Sequence, residues 1–277
     1  MTTHADADPV PAAEPRAVKS ADRTIDLLEQ LADATAPLSL GDLARGLGVP
    51  KSSMHGLLRT LERRHWVEAD DSGLRFRLGV RALRLASSYL AQDRDMVIMQ
   101  AAMRRLWEQT GETIQMARLA GADIVYLAQL PARHPVRLVS SVGERLPAHA
   151  TALGKALLAA RTDDELTGLL VPPLAALTAN TLTDWARLRP ALAAARESGI
   201  AWDHEEASVG LSCAATAVPG PGLPTHAISV SVPTFRLSDE LRRDLLRLLP
   251  EIAAALRGQL VANLLAPEAV SPAVDEG

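Results

Sequence analysis

The run from Leu40 to Leu61, LGDLARGLGVPKSSMHGLLRTL, constrains this chain more than any other, because it holds two helical patterns separated by a glycine break. In the first, Leu40, Leu43, Ala44 and Leu47 recur at the spacing that gathers apolar side chains on one helix face. Ser39 stands where an N-cap belongs and Asp42 falls in the first turn. Gly46 and Gly48 supply the break, and Pro50 suits the first turn of a new helix because it has no N–H to lose there. Met54, Leu57, Leu58 and Leu61 then give the second helix one buried stripe. Its other face carries Lys51, Ser52, Ser53, His55, Arg59, Arg63 and Arg64, donors of the kind that reach phosphates and base edges from the major groove. The pattern predicts a helix-turn-helix that reads double-stranded DNA.

The flanks sharpen this reading. Trp66–Glu68 and Arg75–Leu78 are short extended runs joined by Asp70-Asp71-Ser72-Gly73, a hairpin turn, and the hairpin predicts a winged helix with Arg75 as a further DNA contact. Upstream, a helix from about Val18 to Asp33 places Ala21, Ile25, Leu28 and Ala32 on one face, to pack beneath the other two helices. The plainer alternative is a small helical bundle with an exposed basic helix. Charge has to be read by its distribution, because the chain as a whole carries −4. Residues 16–90 hold 12 Lys and Arg against 9 Asp and Glu, whereas residues 91–277 hold 17 against 21. The positive charge therefore sits on the helix-turn-helix, and an excess this small predicts that useful affinity needs more than one copy on the DNA.

Five segments are expected: a disordered leader over 1–15, the winged helix over 16–79, a linking helix over 80–94, an effector-binding domain over 95–265 and a tail over 266–277. The linking helix carries Val80, Leu83, Leu85, Ala86, Tyr89 and Leu90 on more than one side, too many apolar residues for a solvated connector, which predicts packing against a second copy. Beyond it come a helix from about Asp95 to Thr110 and strands over Thr113–Leu119, Ile124–Leu130 and Val136–Val142. Helices over Thr151–Ala159, Asp163–Leu170 and Trp185–Ser198 follow, then strands over Ile200–Asp203, Cys213–Val218 and Ala227–Val232. A last helix begins after Ser238, with Pro250 expected to kink or divide it. The single cysteine excludes an internal disulfide, no run is apolar enough to span a membrane, and no signal peptide is visible, so the expectation is a cytoplasmic protein.

Several of these stretches together resemble the IclR family of bacterial transcriptional regulators over roughly residues 16–260. They are Ala17–Arg23, Val49–His55, Leu146–Ala156 (LPAHATALGKA), Gly199–Glu206 (GIAWDHEE), Val209–Cys213 and Ala227–Ser231. The resemblance implies an α+β protein with a winged helix-turn-helix, a linking helix and a GAF-like α/β effector domain, acting as a homodimer or homotetramer on DNA without a cofactor. One departure is Gly56, where many relatives have arginine.

The resemblance also places a small effector, an organic or aromatic acid, between the sheet and the helix after His149-Ala150-Thr151, with Leu146, Ala152, Leu153, Asp203, Leu211, Cys213, Ser229 and Ser231 as contacts. Unpaired amides at that helix start, those of Ala152, Leu153 and Gly154, suit an anion. Alternation sets Leu211, Cys213 and Ala215 on one strand face and Ala227, Ser229 and Ser231 on one face of the next. Each position has a duller reading: exposed serines, a buried structural cysteine, Asp203 as a turn cap, His149 as a loop support, and Glu205 and Glu206 as a solvated or backbone-bonding pair. An enzyme would use Cys213 with His204 or His226, or a metal held by Asp203, His204, Glu205 and His149. Against these, Cys213 lies in an apolar run and the acidic cluster lacks ligand spacing. A third reading is a DNA-binding protein whose second domain only oligomerises.

Overall fold

The computed structural model describes residues 18–92, 95–134, 141–220 and 222–265, and the chain divides into two compact units, Met1–Asp93 and Arg94–Gly277. The leader and tail expected at the two ends lie outside the described residues.

In the first unit the order is α1 (Lys19–Asp33), β1 (Leu38–Ser39), α2 (Leu40–Gly46), α3 (Lys51–Arg63), β2 (Val67–Ala69), β3 (Arg75–Leu78) and α4 (Arg81–Gln92). The Ser39 hydroxyl accepts from the Asp42 amide while the Asp42 carboxylate accepts from the Ser39 amide, a capping box that fixes where α2 begins. Leu43, Ala44, Met54, Leu58, Leu61, Val67 and Phe76 close one core. The face of α1 that enters it differs from expectation. Leu27 and Leu31 are buried, whereas Ile25 is 54% exposed and Ala21 and Ala32 face solvent. Of the expected face only Leu28 packs against the core; the helix is turned so that Leu27 and Leu31 enter it fully, which removes two large side chains from water in place of Ile25 and two alanines. The wing also gains a strand: β1 pairs with β3, Leu38 opposite Phe76, to give the order β1-β3-β2. Two residues are too few for alternation to be visible in a sequence.

The second unit is built on one six-stranded antiparallel sheet. After α5 (Met96–Thr110) come β4 (Thr113–Ala120), β5 (Asp123–Leu130) and β6 (Arg145–Pro147), then α6 (Ala152–Leu158), α7 (Asp163–Leu169) and α8 (Trp185–Ser198). They are followed by β7 (Ala201–His204), β8 (Leu211–Ala217), β9 (His226–Pro233) and α9 (Asp239–Leu265), and the strand order is β6-β5-β4-β9-β8-β7. Helix α6 lies across β8, β9 and β7 with α8 beside it, while α5 and α9 pack together against β4 and β8. With helices on both faces, β8 and β9 are buried along nearly their whole length. The expected strand over Val136–Val142 falls mostly outside the described residues, and Val142 stands in a turn. The strand that pairs with β5 here is β6, Ile124 opposite Leu146, which was not anticipated. Helix α9 continues through Pro250 undivided.

Candidate effector cavity and DNA-reading helix

Helix α3 buries Met54, Leu58 and Leu61 and leaves Lys51, Ser52, Ser53, His55 and Arg59 exposed, so the five candidate contacts share the outer surface of one helix. Arg59 is partly compensated by Glu62 at 3.7 Å. Arg75 stands on the wing strand, its guanidinium donating to the Pro37 carbonyl at 3.2 Å. Gly56 lies among the exposed positions, and a Cβ there would meet nothing within 4 Å. Gly56→Ala is therefore expected to stabilise the winged helix by about 0.5–1 kcal/mol, since glycine costs a helix backbone entropy and no space is contested. Urea unfolding of the two proteins measures it, and a destabilised Gly56→Ala would contradict the open geometry.

The sheet register assembles the second site. Asp203 on β7 lies opposite Cys213 on β8, which lies opposite Ser231 on β9; in the next row on that face Ala215, Ser229 and Gln115 follow one another across β8, β9 and β4. Above this floor a cavity of about 210 Å³ is lined by Gln115, Tyr126, Leu146, Asp203, Cys213 and Ser229, with Ala152, Leu153 and Leu211 among the rest. An apolar cavity of about 150 Å³ accepts benzene, so this space suits one ring with a polar substituent. Seven of the eight expected contacts line it. Ser231 is the exception and stands behind the wall, where its hydroxyl donates to Gln115 Oε1 at 2.7 Å and accepts from the Cys213 thiol at 3.2 Å. Gln115, Tyr126, Glu144, Thr151, Ala207 and Ser208 were not anticipated as lining; the pairing of β4 with β9 and of β5 with β6 brings the first three near, while Thr151 is there as the N-cap of α6, next to Ala152.

Polar groups on this wall are differently engaged. The Ser229 hydroxyl is buried and has no hydrogen-bond partner among the described residues. Asp203 Oδ1 accepts from the Glu206 amide at 2.6 Å and the Ala207 amide at 3.4 Å, so Asp203 does cap a turn while also lining the cavity. Burial pushes its carboxyl up to about 7, against the pull of those bonds and of the Lys155 charge. Burial likewise pushes the Tyr126 phenol and the Cys213 thiol upward, so both are neutral at physiological pH. At the start of α6 the Gly154 amide is already bound to the Thr151 hydroxyl at 2.9 Å, which leaves only the amides of Ala152 and Leu153 among the three expected to be open.

Of the acidic pair, Glu205 keeps its expected backbone-bonding role and Glu206 departs from it. Glu205 Oε2 accepts from the Gly210 amide, but Glu206 is buried and bonds Lys155 Nζ at 2.5 Å, with the two side chains 6% and 1% exposed. His149 is buried and bonds the Ala175 carbonyl at 2.9 Å, in keeping with support of its loop. His204 projects from the opposite side of β7 to Asp203 and stacks on Trp202, and His226 pairs opposite Arg118 at the far end of β9. Neither histidine therefore faces the Cys213 thiol, and no cluster able to hold a metal occurs among the described residues.

Two family models match the chain, the IclR helix-turn-helix domain over residues 20–71 and the bacterial transcriptional regulator IclR C-terminal domain over residues 89–257. The chain belongs to the IclR family. It is 33% identical to the transcriptional repressor IclR of Escherichia coli K12 over 227 residues, 80% of this chain and 83% of that protein. It is 34% identical to the repressor AllR of Salmonella typhimurium over 233 residues, 82% and 86% of the two chains. Among solved structures, a transcriptional regulator from Rhodococcus sp. RHA1 superposes with a TM-score of 0.77 at 30% identity, covering 89% of this chain and all of that one. An IclR homologue from Microbacterium hydrocarbonoxydans, crystallised with 4-hydroxybenzoate, shares the fold at a TM-score of 0.76 and 24% identity, covering 88% and 99%. This IclR-family chain is a DNA-binding transcriptional regulator of the same type as these repressors and not an enzyme.

Proposed function

We propose that this regulator binds paired half-sites as a homodimer or homotetramer and that a small organic or aromatic acid in the cavity alters its grip on DNA. Lys51, Ser52, Ser53, His55 and Arg59 of α3, with Arg75 of the wing, are the DNA contacts in this reading. The observation that carries effector binding is the Ser229 hydroxyl, buried on a ring-sized cavity with its hydrogen-bonding capacity unspent. Assembly is supported by α4, where Leu83 is 67% and Leu85 59% exposed, more apolar surface than one chain leaves in water without use. No helix among the described residues is long and apolar enough to cross a membrane, and the protein acts where the DNA is, in the cytoplasm. The coupling between effector and DNA needs only ~1–3 kcal/mol.

Band-shift titration against DNA from upstream of the protein's own gene, at two salt concentrations and with aromatic acids such as 4-hydroxybenzoate, tests the reading as a whole. Lys51→Ala weakens DNA binding about uniformly across sequences and leaves acid binding intact. Ser229→Ala with Ser231→Ala weakens acid binding without unfolding the chain, and unchanged calorimetric binding would reject the cavity as the site. If the second unit served oligomerisation alone, no acid would raise the melting temperature.

Asp203 gives the same site a pH signature. Below about 7 its carboxyl is protonated and adds no negative charge to the cavity, so a carboxylate ligand binds best there. Above about 7 affinity falls, by up to about tenfold per pH unit, because ligand and Asp203 repel. Asp203→Asn keeps an oxygen for the two amides and is expected to abolish the dependence. A slope that survives in Asp203→Asn would assign it to another group. Stability runs the same way: between its ordinary range and 7 the unfolded chain has lost a proton that the folded chain retains, so Asp203 destabilises the fold increasingly as pH rises through that window.

A further inference from the structure

Strand β7 is the last of the sheet, and it and the loop after it divide their side chains between two spaces. Asp203 and Ala207 face the effector cavity. Trp202, His204 and Glu206 line a separate groove of about 960 Å³ along the β7 edge, bounded by α8 and by Leu246 of α9. Lys155 also lines it, so the buried Lys155–Glu206 pair forms part of its wall. Both donors that reach the Glu206 carboxylate, the Lys155 ammonium and the His204 amide, bond to Oε1. Oε2 is buried without a partner among the described residues, and the Lys155 ammonium makes one of the three hydrogen bonds it can donate. Charged groups withdrawn from water are stable only when their remaining capacity is met, so this wall is built to receive something.

We propose that the groove is a second ligand site, for a small zwitterion of the α-amino-acid type with an apolar side chain. The Lys155–Glu206 pair is neutral as a unit, so a lone cation or anion placed against it meets one attractive and one repulsive partner. A molecule with ammonium and carboxylate on one carbon meets an acceptor and a donor together. The rest of the groove supplies the place for an apolar side chain: Pro190, Ala191 and Ala194 are small residues along α8, with Ile200 and Leu246 beside them. The Trp202 ring, with the Arg242 guanidinium 4.7 Å from its centroid, stands at the same edge. The Glu206 amide donates to Asp203 Oδ1, so a ligand that shifts Glu206 moves a wall of the effector cavity, and occupancy of either site alters affinity at the other.

Calorimetry on the full-length protein with L-leucine, isoamylamine and 4-methylpentanoate tests this, the last two being leucine without its carboxylate or its ammonium. L-leucine is expected to bind saturably and each analogue about tenfold more weakly or worse, because each leaves one buried group unmet. Ala194→Trp, at an exposed position of α8, fills the groove and abolishes L-leucine binding, and Ala194→Leu serves as the milder filling if the tryptophan variant does not fold. Leu211→Trp fills the effector cavity and shifts the affinity for L-leucine through the Glu206–Asp203 contact without abolishing its binding. The proposal is overturned if L-leucine gives neither heat nor a melting shift up to about 10 mM. It is equally overturned if binding survives filling of the groove, if it is lost only in Leu211→Trp, or if the amine alone binds as well. Without leucine binding, a change of oligomeric state in Ala194→Trp would make the groove an interface between copies and overturn it too.

Discussion

Lys155→Met is expected to lower the unfolding free energy of the effector domain by about 3–5 kcal/mol, more than any other single side-chain truncation on this wall, because it leaves the Glu206 carboxylate buried and unpaired. Lys155 is the largest of the fully buried side chains, so its charge is withdrawn from water and depends on Glu206 for compensation. The double variant Lys155→Met with Glu206→Leu is expected to recover most of the loss, since removing both charges also removes the cost of burying them. Urea denaturation followed by far-UV circular dichroism measures both. If the single variant cost under about 1 kcal/mol, the pair would be behaving as a surface ion pair and its burial would be wrong.

Gly154→Ala is the second change with a large expected effect. Helix α6 crosses the turn over Ala148–Ala150 so closely that a Cβ at Gly154 would overlap the backbone carbonyl and Cα of Ala148. Backbone cannot yield as a flexible side chain can, so the two segments must separate, at a cost of about 3 kcal/mol or more. Thr151, Ala152 and Leu153 lie between them and line the cavity. Loss of stability in thermal unfolding should therefore come with loss of acid binding, even at temperatures where the variant is folded. Gly56→Ala, where space is open, changes stability in the opposite direction, so the contrast isolates the close approach from any general effect of replacing glycine. A Gly154→Ala protein as stable as the parent, with its effector affinity intact, would refute the packing of α6 on this turn.

The DNA-reading unit was legible in the sequence because its determinants are local. A capping box, a glycine break, an apolar stripe and a hairpin turn all act within a few residues of one another, and α2, α3, β2 and β3 form where those signals stand. Where local signals compete, as on α1, the choice passed to packing, and the Leu27–Leu31 stripe won on buried area. In the second unit, alternation was enough to place Ser229 and Ser231 on one face of β9, yet it could not rank them. Ser229 reaches the cavity and Ser231 stands behind it because Gln115 of β4 occupies the space between, and that follows from a pairing of residues 116 apart in sequence.

The same distinction governs the ionisable groups. From the sequence, Asp203-His204-Glu205-Glu206 is an acidic run suited to solvent or to backbone bonding, and two of its four members are so placed: His204 is exposed, and Glu205 is half-exposed and bonded to the Gly210 amide. The partner that makes Glu206 a core residue, Lys155, lies 51 positions away on another element, and the burial that raises Asp203 comes from helices and strands packed around it. What the sequence by itself determined was the identity and order of the longer local elements, the exposed basic face of α3 and the phase of β8 and β9, since these depend on 2.0- and 3.6-residue periodicities that need no tertiary partner. What only the tertiary structure decided was which side chains share an enclosure, which polar atoms are left unmet and which charges are withdrawn from water. Those are properties of burial, which arises when distant segments exclude solvent together.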